Sequence, residues 1–166
     1  MLKSRSAPGV VVRCSYRGNA MRSKRRRSSS EDEILNRRGA TICVFELQGT
    51  LFFGTMERVL RRITEEMATF SYLILDLKRV LQADECSAAL LSQTAAMLNQ
   101  QQKILLLTHC PEHFGNSGET INHERFADID GALEWCEDQL LQQEQPEWLR
   151  GGRQISLPAM DILQGF

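Results

Sequence analysis

Three short hydrophobic segments of the chain have the pattern expected of buried β-strands. Residues 41–48 (TICVFELQ) are rich in β-branched and apolar side chains, and the regular pattern stops at Gly49. Residues 72–77 (YLILDL) and 103–108 (KILLLT) are almost continuously apolar, which is typical of strands covered on both faces. Residues 10–14 (VVVRC) favour one further strand, at the edge of the same sheet.

Segments with a helical period follow these strands. From Thr55 to Phe70, apolar residues recur at helical spacing, and charged residues occupy the opposite face. A second helix is predicted over residues 86–101. A third is predicted to begin where Asp128 or Asp130 caps it, and to carry its own apolar stripe.

A shorter helix is predicted before the first central strand. Ser30 stands three residues before Glu33, which is the spacing of a capping box. Gly39 follows two arginines, and cations with a glycine after them are typical of a helix C-terminus. The pattern therefore indicates a helix over residues 31–38.

The order of these elements indicates the fold class. Strands that alternate with helices are joined by right-handed crossovers, which produce a largely parallel sheet with helices layered on it. The sequence thus predicts an α/β fold, with a mixed sheet of four or five strands and amphipathic helices.

Composition narrows the class further. The chain has 166 residues, 42% of them hydrophobic, which suits one soluble globular domain with tails. Its longest apolar runs are far shorter than the ~20 residues of a membrane helix. The start of the chain lacks a secretory signal, and five cysteines without a C-x-x-C pair favour reduced thiols. These observations point to the cytoplasm.

The net charge of −1 conceals a strong asymmetry. Residues 1–39 hold 11 Lys and Arg against three acids, whereas residues 40–166 hold nine against 18. Residues 23–30 (SKRRRSSS) are too polar to bury, so we expect them to be mobile or bound to a surface. The acidic body argues against nucleic acid as a partner, and a solvated arm is the simplest alternative. The cations predicted to meet an anionic membrane surface or another anionic partner are Arg22, Lys24, Arg25, Arg26 and Arg27.

One motif resembles a phosphate-binding loop. Gly49 and Gly54, followed by Thr55, have the glycine spacing of such a loop and stand between a strand and a helix. The lysine that contacts the phosphates is missing, and four apolar or β-branched residues separate the glycines. The pattern favours a buried turn, with a weak nucleotide or anion contact as the alternative.

Metal-binding patterns are incomplete. The two tight ligand pairs usual for structural zinc are missing, although His109, Cys110, His113, His123 and Cys136 offer isolated donors. The sequence DIDG at 128–131 matches only the first positions of a calcium loop. We therefore expect no metal and no cofactor.

Two phrases of the chain resemble a known family. Residues 46–55 (ELQGTLFFGT) and 126–141 (FADIDGALEWCEDQLL) are similar to the STAS domain, and the resemblance spans about residues 10–145. It is strongest to the cytoplasmic C-terminal part of SulP-type (sulfate permease) anion transporters. Similar STAS domains also follow other modules, including some bacterial glutaminases. The resemblance implies a small mixed sheet with helices and no catalytic residues.

The resemblance also implies a site. In anti-sigma-factor antagonists of this family, a turn of the D-S-S-G type carries a phosphorylated Ser or Thr. The matching stretch is 84–88 (DECSA), where Cys86 takes the phosphorylatable position and Ser87 follows one residue late. Asp84 and Glu85 already place negative charge at the helix N-terminus, with helix capping as their alternative role. These four residues are the predicted switch or partner-binding site.

The domain map and the expected function follow. Residues 1–39 form a basic connector, 40–145 a STAS domain, and 146–166 a linker into a following domain, cyclic-nucleotide-binding by resemblance. We expect a non-catalytic regulatory domain in the cytoplasm, at the inner face of the membrane. Its partner is a transporter membrane domain or a regulatory protein. The alternatives are a stand-alone anti-sigma-factor antagonist and a weak nucleotide-binding domain.

Overall fold

Five strands form one mixed sheet in the computed structural model, which describes residues 12–111 and 124–144. The sheet order is the chain order. Strands β2 to β5 are parallel, and β1 is antiparallel to β2 at the edge. The predicted α/β class and mixed sheet are confirmed. The strands are β1 (Val12–Arg17), β2 (Ile42–Leu51), β3 (Tyr72–Ala83), β4 (Ile104–Thr108) and β5 (Glu124–Phe126).

Two layers of helices cover the sheet. One hydrophobic core lies between the sheet and helices α2 and α3, and a second lies between the sheet and helices α1 and α4. Alternate residues of β2 serve the two cores: Phe45 faces the first and Val44 the second. This explains why the strands are apolar on both faces. The helices are α1 (Ser29–Arg38), α2 (Phe53–Glu66), α3 (Glu85–Gln100) and α4 (Ile129–Glu144).

Strands β2 and β3 are both longer than predicted. The sequence pattern placed the end of β2 before Gly49, but the strand continues through Gly49, which has φ = 84°, to Leu51. Pairing with this extension prolongs β3 from the predicted residue 77 to Ala83. Glycine adopts a positive φ without steric cost, so β2 continues past Gly49. The short strand β5 was not predicted.

Helix capping differs from the prediction at one end of the chain and agrees at the other. Ser28, not Ser30, caps α1, because the Ser28 hydroxyl accepts from the Glu31 N–H at 3.3 Å. The Ser28 N–H in turn donates to the Glu31 carboxylate at 3.0 Å. At α4, the prediction of an aspartate cap is confirmed: the Asp128 carboxylate accepts from the Gly131 N–H at 2.8 Å. Residues 112–123 and the predicted linker at 146–166 lie outside the described residues.

Gly18 tests the close packing between the end of β1 and the start of β2. A Cβ added at Gly18 would stand 2.8 Å from the Ile42 Cβ and 2.9 Å from the Gly39 carbonyl oxygen. We expect Gly18→Ala to lower the free energy of unfolding by about 1–3 kcal/mol in urea titrations. Gly131→Ala is the control, because a Cβ at this helical position would make only ordinary van der Waals contacts. This variant should raise the free energy of unfolding by up to about 1 kcal/mol. Equal effects of the two changes would contradict this packing.

Candidate functional site

The turn that precedes α3 is held by Asp84. One oxygen of its carboxylate accepts from the Ser87 hydroxyl at 2.7 Å and from the Ser87 N–H at 2.8 Å. These hydrogen bonds, the one from the hydroxyl first, lower the pKa of the Asp84 carboxyl below its ordinary value. Asp84 is therefore ionised at neutral pH, and it stands on the surface beside the exposed Glu85.

The four residues predicted here share the first turn of α3 but not one surface. Asp84, Glu85 and Cys86 are exposed, whereas Ser87 is completely buried and its hydroxyl is engaged with Asp84. A kinase reaches only an accessible hydroxyl, so phosphorylation of Ser87 requires the first turn of α3 to open. The side chains of this turn that are accessible from solvent are therefore the carboxylates of Asp84 and Glu85 and the thiol of Cys86.

The turn at residues 49–55 is closed by its own side chain. The Thr55 hydroxyl lies 3.0 Å from the carbonyl oxygens of Thr50 and Phe52 and accepts from the Phe52 N–H at 2.9 Å. Thr55 is buried, and Gly54 lies in the first turn of α2. The hydroxyl proposed to face an anion thus stabilises the start of α2.

A groove connects this turn with the turn of Asp84. Its volume is about 360 Å³, and the Asp84 N–H donates to the Leu51 carbonyl at 3.2 Å across it. Two exposed large apolar side chains line it: Leu81 is 81% exposed and Phe52 49%. The next residue after Phe52, Phe53, is 56% exposed. The lining consists of Thr50, Leu51, Phe52, Leu81, Gln82, Ala83 and Asp84.

The groove was not predicted, although the sequence contains unusual apolar residues that indicate it. Phe52 and Phe53 are adjacent apolar residues at a helix start, where polar caps are usual. Leu81 lies between Arg79 and Gln82, outside any strand predicted from periodicity. The structure thus brings two separately predicted motifs, residues 49–55 and 84–88, to the two sides of one apolar groove.

The basic segment before α1 is packed against α4. Ser23 is buried, and its N–H and hydroxyl donate to the Glu137 carboxylate at 2.8 and 2.6 Å. The Arg27 guanidinium binds Glu137 at 3.1 Å and Asp138 at 2.8 Å. The side chains of Arg27 and Glu137 are 3% and 1% exposed. The expectation that residues 23–30 are mobile or surface-bound is therefore wrong for Ser23 and Arg27.

Other cations of this segment have partners within the chain. Arg22 binds Asp32 at 2.9 Å, and Arg25 lies 3.4 Å from Glu134. The carboxylates of α4 attract the arginines because they lie three and four positions apart, on one helix face. Within the described ranges, the side chains with an exposed charge and no ion pair in this segment are those of Lys24 and Arg26.

A cluster of polar side chains lies where β4 ends beside the middle of β3. The Asp76 carboxylate, which is buried, accepts from the Thr108 hydroxyl at 2.8 Å and lies 2.9 Å from His109 Nδ1. The described residues contain no group of three His, Cys, Asp or Glu side chains placed to hold a metal ion. His113 and His123 lie outside the described residues.

Glutamate 137 tests the attachment of the basic segment. Glu137→Gln removes the charge that faces the buried Arg27, and we expect a loss of about 3 kcal/mol in the free energy of unfolding. Glu134→Gln is the matched control on the same helix. Its partner Arg25 is half exposed, so the loss should be below about 1 kcal/mol. Urea titrations followed by circular dichroism measure both, and similar losses would show that the segment is not anchored by the buried pair.

No helix within the described parts of the chain has the length and apolar character needed to cross a membrane.

Comparisons with known proteins agree on the family. A family model of the STAS domain matches residues 34–114. The unphosphorylated anti-sigma factor antagonist SpoIIAA shares the fold, with a TM-score of 0.50 and 13% identity over 61% of this chain and 91% of that one.

Two curated relatives are larger proteins. Glutaminase 2 of Bradyrhizobium diazoefficiens is 32% identical over 148 residues, and the match covers 85% of this chain and 24% of the relative. Vacuolar basic amino acid transporter VSB1 of Saccharomyces cerevisiae is 35% identical over 145 residues, covering 76% of this chain and 14% of the relative. The chain thus spans a quarter or less of either protein. The family model identifies residues 34–114 as a STAS domain.

Proposed function

We propose that this STAS domain is a non-catalytic protein-interaction module that regulates a larger assembly. The observation that carries the proposal is the exposed apolar groove beside the ionised Asp84, with Leu81 81% exposed. Monomeric proteins rarely expose adjoining large apolar side chains unless these contact a partner. The protein partner is a transporter membrane domain or a regulatory protein.

The relatives support a modular role. One is named a glutaminase and the other an amino acid transporter, so the segment they share with this chain accompanies two unrelated activities. A regulatory or assembly role accounts for both contexts. We place the domain in the cytoplasm, as part of a SulP-type transporter, because the resemblance of residues 46–55 and 126–141 is strongest there.

The two alternatives have less support. A stand-alone anti-sigma-factor antagonist shares the fold, but the serine nearest to the expected phosphorylation position, Ser87, is buried and hydrogen-bonded to Asp84. A nucleotide-binding domain would use the turn at residues 49–55, where the Thr55 hydroxyl is already engaged with Thr50 and Phe52.

Leu81→Asp tests the interaction face. The side chain is exposed, so the variant should fold, while a carboxylate replaces the apolar contact of the partner. Immobilised chain is mixed with an extract of the native host, and the retained proteins are identified by mass spectrometry. We expect the wild type to retain proteins that Leu81→Asp loses at least tenfold, which corresponds to about 1.4 kcal/mol.

Met21→Asp is the matched control. Met21 is 44% exposed and does not line the groove, so this variant should retain the same proteins as the wild type. Circular dichroism verifies that all three chains are folded. If Leu81→Asp retains the same proteins in the same amounts, the groove is not the interaction face.

A contact with anionic lipid is the second part of the proposal, and it now depends on Lys24 and Arg26. Each cation contributes about 1 kcal/mol near such a surface, so two give only weak, salt-sensitive binding. We expect sedimentation with phosphatidylserine vesicles at low salt, and its loss in the variant with both Lys24→Glu and Arg26→Glu. Phosphatidylcholine vesicles are the control. Equal binding of the two chains would exclude these cations as the lipid contact.

A further inference from the structure

Strand β3 has an open edge beyond the end of β4. The last residue of β4, Thr108, lies opposite Asp76, whereas β3 continues to Ala83. Within residues 77–83, Arg79, Val80, Gln82 and Ala83 pair with β2, and the register shifts on either side of Gly49. Among the described residues, no strand pairs with the other side of this segment. An unpaired strand edge presents N–H and C=O groups that pair with an added strand.

The open edge adjoins the apolar groove. Leu81 lies within the segment, and it lines the groove together with Phe52. An extended chain placed along the edge would cover part of the exposed Leu81 side chain, and removing apolar surface from water favours binding. The edge thus provides backbone hydrogen bonds, and the groove provides an apolar contact at its centre.

The two ends of the edge carry opposite charges. Lys78 and Arg79 are exposed at its beginning, and Asp84 and Glu85 are exposed at its end. Six residue positions separate Lys78 from Asp84, which is about 20 Å in an extended strand. A complementary strand therefore has an acid at one end, an apolar residue in the middle and a cation at the other end.

We propose that residues 77–83 bind an extended segment of a protein partner as an additional strand of the sheet. The segment has alternating apolar residues, an acid beside Lys78 and a cation beside Asp84. This inference rests on the proposed protein-interaction function and names the chemistry of the partner. Backbone pairing supplies most of the affinity, while the central apolar residue and the end charges supply specificity and direction.

Two synthetic peptides test the inference on the full chain. Acetyl-Asp-Val-Thr-Val-Thr-Val-Lys-amide matches the charges if the strand is parallel to β3, and acetyl-Lys-Val-Thr-Val-Thr-Val-Asp-amide matches them if it is antiparallel. We expect one of the two to bind, and to protect the amides of residues 77–83 from hydrogen exchange. Binding to Leu81→Asp should be at least about tenfold weaker.

N-methylated forms of the binding peptide separate strand pairing from apolar adhesion. One form is methylated at the three Val residues and the other at the two Thr residues, so each loses the donors of one strand edge. One form should lose binding and the other should keep it, because only one edge of the peptide faces β3. Equal binding of both forms, or of Leu81→Asp, overturns strand addition.

Failure of this inference is distinguishable from failure of the proposed function. If neither peptide binds at about 1 mM, while Leu81→Asp still loses host proteins, strand addition is wrong and the interaction face remains. If Leu81→Asp retains the host proteins, the proposed function is itself wrong. Dimerisation of the chain through the same edge would appear as a change in sedimentation without peptide, and would also overturn the inference.

Discussion

The parallel pairing of β2 with β3 is the interaction on which the rest of the structure depends. It begins at Ile42 and Tyr72 and continues to Leu51 and Ala83, well beyond the end of β4. In its first part the two strands are buried on both faces, so two helix layers must cover them. In its second part, β2 and β3 are the only strands that the described residues contribute. The start of α2 and the start of α3 are thereby brought side by side, and the groove lies between them.

The attachment of the basic segment to α4 is a second constraint, and its energetics differ from those of the core. A buried ion pair does not repay the full cost of removing both charges from water, unless further hydrogen bonds satisfy the groups. Here Glu137 receives two hydrogen bonds from Ser23 in addition to the pair with Arg27, and Arg27 also binds Asp138. The arrangement therefore fixes where the segment lies, and the loss of either partner would leave a buried charge unpaired.

Much of the fold was predictable, because a strand buried on both faces has a continuous apolar sequence. The extension of β3 was not, since Lys78, Arg79 and Gln82 belong to a half-exposed ribbon whose pattern resembles a loop. The acids of the turn at 84–88 were identifiable, but the inward orientation of Ser87 depends on the phase of α3. The docking of Arg27 joins residues more than 100 positions apart, which local periodicity does not report.

The groove and the basic segment lie against different helix layers of the fold. The segment contacts α4 and α1, whereas the groove lies where β2 leads into α2 and β3 leads into α3. A partner bound in the groove and a partner bound to the basic segment would therefore contact different residues. The sheet contacts both layers, with Ile74 in one core and Leu75 in the other. Any influence of one site on the other must pass through β2 and β3, where close packing leaves few alternative arrangements.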